Sequence, residues 1–244
     1  AHTPSHQFAV DIPARDENGR LLPEISAEPR GEAGAADKRI QAYNFRVIAT
    51  NVPENRIPWP KPANYDVKRY ELLARYLKAM TPYMGRVLDI NEVNLLRVIP
   101  NGKADFNNRG GFSTDYIGKN YQFPDGDYAT RARIWKEHEE YQKGFYYFLA
   151  NDPRVPKPLQ DQMKEWGLAK DEFVDTGNWP HQLYIREARR MVGEYVATQK
   201  DLQTDLMKPD VVGMGSYSSD SHNLQRFVNA KGFVENEGDV QVGV

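Results

Sequence analysis

The strongest constraint on the fold is one segment, residues 127–150, with the sequence DYATRARIWKEHEEYQKGFYYFLA. Its large apolar and aromatic side chains recur every three or four residues, which places them on one face of an α-helix. Asn151-Asp152-Pro153 follows and ends the pattern, because proline disfavours the interior of a helix. The chain must therefore fold around a long helix with one buried face. The positions on that face are Ile134, His138, Tyr141, Phe145 and Phe148.

Other segments predict shorter helices. Residues 66–80 begin at Asp66, whose carboxylate can accept hydrogen bonds from the first free amides, and the pattern stops at Pro82. Residues 156–166 predict a second short helix, and residues 181–192 a third.

Segments rich in β-branched and aromatic residues predict strands at both ends of the chain. They are residues 38–50, 86–99, 193–198 and several short stretches within 210–243. The helices lie between them, and 16 prolines and 18 glycines predict many irregular connections. The sequence therefore predicts an α+β fold, with a mostly antiparallel sheet, a few helices and long irregular loops.

Two domain-level divisions follow from the same patterns. Residues 1–37 are rich in Pro, Gly, Ala and Glu with little periodicity, and we interpret them as an irregular N-terminal arm. Residues 38–244 are interpreted as a single α+β domain. Within it, residues 101–128 predict a long polar loop, and long loops inside compact domains are usually functional or disordered.

Composition excludes several kinds of chemistry. The chain has no cysteine, which rules out disulfides, thiolate catalysis and cysteine-ligated metals. A net charge of −2 gives no overall attraction to nucleic acid, and no apolar run is long enough to predict a membrane span. The sequence contains no His-x-x-x-His and no Gly-x-Ser-x-Gly, so we predict no metal site and no serine hydrolase.

Three arginines form the first candidate site. If residues 181–192 are helical, Arg186, Arg189 and Arg190 fall within about 100° of arc and offer one arginine face. Forked guanidinium groups suit phosphate or carboxylate recognition. The alternative is an ordinary solvated face that pairs in part with Glu187 and Glu194.

Asp220 and His222 form the second candidate. Residues i and i+2 of an extended segment point to the same side, so the carboxylate can lie beside the imidazole and raise its basicity. The alternative is a polar turn between strands. Of the other histidines, His138 is interpreted as a core residue, and His181 as an aromatic-loop contact or a helix-start residue. His2 and His6 lie in the irregular arm.

The third candidate is the polar loop that follows residue 100. Its hydrogen-bonding side chains can line a substrate pocket, or they can serve turn geometry in a solvated loop. They are Asn101, Asn107, Asn108, Ser113, Thr114, Asp115 and Tyr116. A glycine pair, Gly213 and Gly215, half-matches a dinucleotide fingerprint, but the third glycine is missing, so we reject it as a phosphate loop.

Several blocks of the chain closely resemble bacterial FAD-dependent oxidoreductases, and the resemblance runs from about Leu21 to Val242. The aspartate-x-histidine of GMGSYSSDSHN is part of it. The other blocks are IQAYNFR, PENRIPWPKPANYD, RYELLARYL, PNGKADFNN, STDYIGKNY, FLANDPRVP and WPHQLYIREARRMVGEY.

This resemblance implies that the parent protein uses FAD to oxidise or reduce a small organic substrate. Since these residues lie in family-like blocks, we expect catalytic roles for His222 with Asp220, and contacts of Arg186, Arg189 and Arg190 with FAD phosphate or a substrate carboxylate. We expect a soluble bacterial protein, and its compartment, cytoplasm or periplasm, stays open. Candidate substrate-binding residues are Asn101, Asn107, Asn108, Tyr116 and His181.

The family's Gly-x-Gly-x-x-Gly unit is absent from this sequence. We therefore expect an internal, substrate-side fragment that is inactive alone, does not bind FAD alone and has the missing FAD-binding region as its partner. The alternative is a non-catalytic module for carbohydrate or protein recognition, which the polar loop and the 14 tyrosines and 4 tryptophans would serve.

Overall fold

The computed structural model describes residues 6–32, 35–198, 200–201, 207–213, 215, 217–239 and 241–243. The strands are β1 (Val47–Thr50), β2 (Arg56–Ile57), β3 (Asn94–Ile99), β4 (Lys103–Asn108), β5 (Gly167–Ala169), β6 (Ser218–Asp220), β7 (Asn223–Val228), β8 (Val234–Gly238) and β9 (Gln241–Gly243). The α-helices are α1 (Glu71–Met84), α2 (Ile90–Val93), α3 (Tyr128–Asn151) and α4 (Lys157–Glu165).

A five-stranded antiparallel sheet forms the centre of the molecule, in the order β2-β5-β1-β4-β3. Two separate two-stranded sheets pair β6 with β9 and β7 with β8. The predicted α+β class with a mostly antiparallel sheet is confirmed. The strands of residues 210–243 do not join the central sheet, however, and the predicted polar loop 101–128 is a strand over its first third, because β4 pairs with both β1 and β3.

Helix α3 has the extent and the buried face that its sequence predicts. The Asp127 side chain caps it by accepting a hydrogen bond from the amide of Thr130, 2.8 Å away. On the buried face, the Tyr146 ring lies 4.4 Å from Trp59 and 5.9 Å from Phe106 of β4. Aromatic pairs at such distances add to the burial of apolar area, so α3 and the sheet share one core.

The two neighbouring helices match their predictions in part. Helix α4 occupies the predicted segment, whereas Asp66 caps a short 3₁₀ helix, Val67–Tyr70, that precedes α1. The predicted stop at Pro82 is wrong, because α1 continues to Met84 and ends at Gly85 in the left-handed conformation. Proline removes one amide donor and crowds the carbonyl four residues earlier, but in the last turn this does not end a helix that a left-handed glycine caps three residues later.

The predicted helix 181–192 and the predicted strand 193–198 are both wrong. Residues 181–192 run as irregular extended chain, and the amide of Tyr184 donates to the carbonyl oxygen of Asn44 at 2.9 Å. The Arg186 side chain also bonds to this neighbouring segment. Helix propensity is a weak preference, and hydrogen bonds to another part of the chain override it here.

The predicted strand 38–50 is confirmed only at its end, as β1. Before β1, the backbone of Phe45 bonds to a side chain instead of a neighbouring strand. The Gln142 side chain of α3 accepts from the Phe45 amide at 2.8 Å and donates to its carbonyl at 2.9 Å. Since these groups are satisfied by α3, the segment needs no strand partner.

The N-terminal arm packs onto the β7–β8 hairpin. Ile12, Ala14 and Leu22 are buried in the main core, and Pro13 forms an isolated bridge with Phe233. Arg226 of β7 is buried and donates to the carbonyl oxygen atoms of Glu24 and Gly111. The arm is irregular in backbone but is part of the core, so the division at residue 37 stays a prediction.

Helices long and apolar enough to cross a membrane do not occur in the described ranges of the chain.

Candidate functional site

A buried carboxylate, Asp115, lies where four distant parts of the chain meet. Asn108 at the end of β4, Arg186 of the extended segment and His222 of the β6–β7 connection all contact it. His6 of the arm contacts Asn108. Asp115 is 1% exposed, so its charge must be balanced by these neighbours.

The closest contact joins Asp115 to His222. The imidazole Nδ1 lies 2.7 Å from Asp115 Oδ2, and Asn108 Nδ2 lies 3.1 Å from the same oxygen. Arg186 Nη1 lies 3.7 Å from Oδ1. Burial by itself raises the pKa of Asp115, but the charges of His222 and Arg186 outweigh it and hold the pKa below its usual value. Asp115 is therefore an anion that orients an imidazole.

Arg186 is the buried cation of this cluster, with 7% of its side chain exposed. It donates to the carbonyl of Ala42 and to Oδ1 of Asn44, both at 3.0 Å, and its guanidinium lies 4.9 Å from the centre of the Tyr184 ring. Burial lowers its pKa, against the charge of Asp115. Its Nε atom is buried and makes no hydrogen bond within the described ranges, so one donor remains for another group.

The loop after β4 fixes the position of Asp115. The Tyr141 hydroxyl of α3 donates to the Ser113 carbonyl at 2.6 Å, and the Ser113 hydroxyl accepts from the amide of Asp115 at 3.2 Å. The Tyr116 amide donates to the Tyr43 carbonyl at 3.1 Å. The carboxylate is thus held from both sides by backbone that is tied to the core.

The three arginines do not share a face, because the helix that would align them is absent. Arg189 and Arg190 have 67% and 75% of their side chains exposed and pair with Asp125 and Glu187 at the surface. Only Arg186 reaches the buried cluster. The cofactor role of the other two stays a prediction.

The carboxylate at Nδ1 of His222 belongs to Asp115. We predicted Asp220 beside this imidazole without naming a ring nitrogen, and that pairing stays a prediction. The argument from alternation assumes one continuous strand, whereas β6 ends at Asp220 and β7 begins at Asn223 in a different sheet. The charge of Asp220 also acts on Arg186, and its predicted catalytic role remains untested.

The predicted substrate-binding residues divide into two groups. Asn108 belongs to the cluster, and Asn107 adjoins it, since its side-chain oxygen lies 3.3 Å from Asn44 Nδ2. Asn101 lies in the β3–β4 turn at the opposite end of β4, roughly 17 Å away for a strand of this length. Tyr116 stacks on Tyr141 in the core at 4.1 Å, and His181 is exposed beside Phe173.

Sequence reasoning did not select His6 or Asp115 as individual site residues. His6 lies in the segment that we interpret as an irregular arm, and Asp115 is one member of the predicted polar loop. The only local signal for Asp115 is a charged residue within the block STDYIGKNY, between side chains that the fold buries.

His138 is a core residue, as predicted, and it makes stability depend on pH. Burial lowers its pKa from 6.5 to about 4, against the hydrogen bond to the Ile134 carbonyl and the charge of Asp115. The unfolded chain therefore binds an extra proton between these values, and stability is lost as pH falls. We expect a loss of about 3 kcal/mol between pH 6.5 and 4 from this group.

Urea unfolding of His138→Gln at several pH values measures this loss. The difference in unfolding free energy between the wild type and the variant should shrink as pH falls from 6.5 to 4. His181→Gln is the matched control, because His181 is exposed. A constant difference across this pH range would contradict the prediction.

The described ranges contain no group of three His, Asp or Glu side chains arranged to hold a metal ion. No curated protein and no solved structure matches the chain. A family model described as FAD dependent oxidoreductase matches residues 7–243. This match spans all of the residues in the buried cluster except His6 and agrees with the resemblance found in the sequence. The chain therefore belongs to the FAD-dependent oxidoreductase family.

Proposed function

We propose that the buried cluster is the proton-transfer site of an FAD-dependent oxidoreductase that acts on a small organic substrate with a hydroxyl or amino group. One observation carries the proposal: Nδ1 of His222 lies 2.7 Å from the buried carboxylate of Asp115. An imidazole held in this way is a common proton acceptor and donor near neutral pH.

Asp115 has two effects on His222. By accepting the Nδ1 hydrogen, it leaves the Nε2 lone pair available for a substrate proton. Its negative charge also stabilises the imidazolium that forms when Nε2 takes that proton. When bound, FAD supplies a two-electron acceptor or donor for the substrate carbon. His222 then holds the proton that a hydroxyl or amine loses, or returns it when the substrate is reduced.

Arg186 provides the binding function in this proposal. Its buried Nε lacks a hydrogen-bond acceptor within the described ranges, which fits an oxygen atom of the substrate or of the flavin. The described residues fit this part of a flavin site better than a pyrophosphate cradle. Gly213 and Gly215 are exposed, and strand β6, not a helix, follows them.

The non-catalytic alternative draws less support from the polar loop. Several of its side chains bond to one another or to the core instead of facing solvent. Asn44 joins Asn107 and Thr114, and Asn108 joins Asp115.

Substitutions of Arg186 and Arg189 test the proposed binding role of Arg186. In the flavin-loaded protein, Arg186→Ala should weaken binding of flavin or substrate by about 1.5–3 kcal/mol, the usual value of a charged hydrogen bond. Arg189→Ala is the matched control and should change binding by less than about 0.5 kcal/mol, because its side chain is exposed. Flavin content and substrate KM are the measurements.

Arg186→Lys separates charge from geometry. It keeps the cation beside Asp115 but loses the forked donors, so it should bind more weakly than the wild type and more tightly than the alanine variant. Equal flavin content and equal KM in the wild type and both Arg186 variants would refute the binding role.

A further inference from the structure

The side-chain amide of Asn108 lies between two imidazoles and a carboxylate. Its Nδ2 atom is 3.1 Å from Asp115 Oδ2, 3.2 Å from His6 Nδ1 and 3.3 Å from His222 Nδ1. An amide nitrogen has only two hydrogens, so it cannot donate to all three.

The contact between His222 and Asp115 shows which of the three neighbours does not accept a hydrogen from Asn108. Asp115 is ionised beside Arg186 and can only accept, so the hydrogen between its Oδ2 and His222 Nδ1 belongs to Nδ1. This holds for the neutral and the protonated imidazole alike. Asn108 Nδ2 and His222 Nδ1 are then both donors, and their 3.3 Å contact is not a hydrogen bond.

The two amide hydrogens of Asn108 therefore point to Asp115 Oδ2 and His6 Nδ1. The reversed amide is excluded, because it would place the Asn108 carbonyl oxygen against a carboxylate oxygen. His6 Nδ1 must then carry a lone pair, and the hydrogen of neutral His6 lies on Nε2.

We propose that Asn108 is a positioning residue that holds His6 as the Nε2–H tautomer, while Asp115 holds His222 as the Nδ1–H tautomer. The two rings, whose centres are 6.2 Å apart, then have opposite properties at Nε2: His222 offers a lone pair and His6 offers a hydrogen. The use of the His222 lone pair as a proton acceptor rests on the proposed function, whereas the assignment of the two tautomers does not depend on it.

The surroundings of His6 agree with a neutral ring. Burial lowers its pKa, and so do the charges of His222 and Arg109, whereas Asp239 and Asp115 act in the opposite direction. The pKa of His6 therefore lies below its ordinary value. This favours the neutral imidazole at neutral pH, and a neutral imidazole carries its single hydrogen on one of the two ring nitrogens.

Nuclear magnetic resonance of the whole chain, labelled with ¹⁵N-histidine, measures each tautomer directly. Long-range ¹H–¹⁵N correlations distinguish a protonated from an unprotonated ring nitrogen, and signals are assigned from the losses in His6→Gln and His222→Gln. His138 is an internal reference, because its Nδ1 lies 2.7 Å from the Ile134 carbonyl and can only donate. We expect the Nδ1–H pattern for His222 and His138 and the Nε2–H pattern for His6.

Asn108→Leu tests the role of the amide. His6 should lose its single-tautomer pattern, whereas His222 should keep Nδ1–H through Asp115. Asn64→Leu is the matched control, since it removes an exposed side-chain amide and should leave all three patterns unchanged.

The wild-type spectrum tests the two proposed tautomers even if Asn108→Leu does not fold. A His222 signal with hydrogen on Nε2, or a His6 signal with hydrogen on Nδ1, would overturn the proposal. An unchanged His6 pattern in folded Asn108→Leu would also overturn the positioning role. If these tautomers are found but His222→Gln retains full turnover, the proposed function fails and this inference stands.

Discussion

Replacing His222 with glutamine in the flavin-loaded protein is expected to lower turnover by roughly 10²–10⁴-fold while flavin remains bound. Glutamine retains much of the length of histidine but cannot take up a proton near neutral pH. Steady-state turnover across pH and the flavin absorbance of the purified variant are the measurements.

His181→Gln is the matched control for this experiment. It makes the same chemical change at an exposed histidine outside the cluster, and its turnover should equal that of the wild type. Normal turnover in folded, flavin-loaded His222→Gln would assign His222 a structural role in the connection between β6 and β7.

Arg226→Ala is expected to lower the free energy of unfolding by about 3 kcal/mol or more. Arg226 is 3% exposed, and its guanidinium donates to Asn236 Oδ1 at 3.1 Å, the Gly111 carbonyl at 3.1 Å and the Glu24 carbonyl at 3.3 Å. It also lies 4.8 Å from the centre of the Phe112 ring. Each hydrogen bond from a charged donor contributes about 1.5–3 kcal/mol, and alanine would leave buried oxygen atoms unpaired beside a cavity.

Urea unfolding of the whole chain measures this loss. Arg97→Ala, on the exposed face of β3, is the matched control and should change stability by less than about 0.5 kcal/mol. The unfolding free energy of Arg226→Lys should lie between those of the wild type and Arg226→Ala, because lysine keeps the charge but lacks the forked donors of the guanidinium. An unchanged unfolding midpoint in Arg226→Ala would show that the arm and the hairpin are held together by other contacts.

The sequence predicted correctly those helices and strands whose stability depends on residues close together in the chain. Helix α3 has a sustained apolar face, a capping aspartate and a following proline, and each feature favours the same structure. Residues 181–192 also have helical periodicity, but their hydrogen bonds go to residues 42–44, more than a hundred positions earlier. Such a partner leaves no trace in the local sequence.

In the candidate site, too, contacts between distant residues could not be predicted from the local sequence. His222 and Arg186 were predicted from their chemistry and from the family resemblance, and the structure brings both to one carboxylate. Asp115 as the partner of His222 was not predictable, because they are 107 positions apart and no periodicity relates them. The nearer aspartate, Asp220, was the natural choice for an argument limited to neighbours.

The wide sequence separation within the cluster has a consequence for how the protein reaches its native state. His6 and Asn108 are 102 positions apart, and Asn108 and His222 are 114. Contacts between such distant positions close large loops and form slowly, whereas a helix such as α3 forms from neighbours. Far-ultraviolet circular dichroism should therefore recover early during refolding, and the His222–Asp115 contact late. A preparation with full helical signal can therefore still contain chains in which the Asp115 cluster, the proposed proton-transfer site, has not yet assembled.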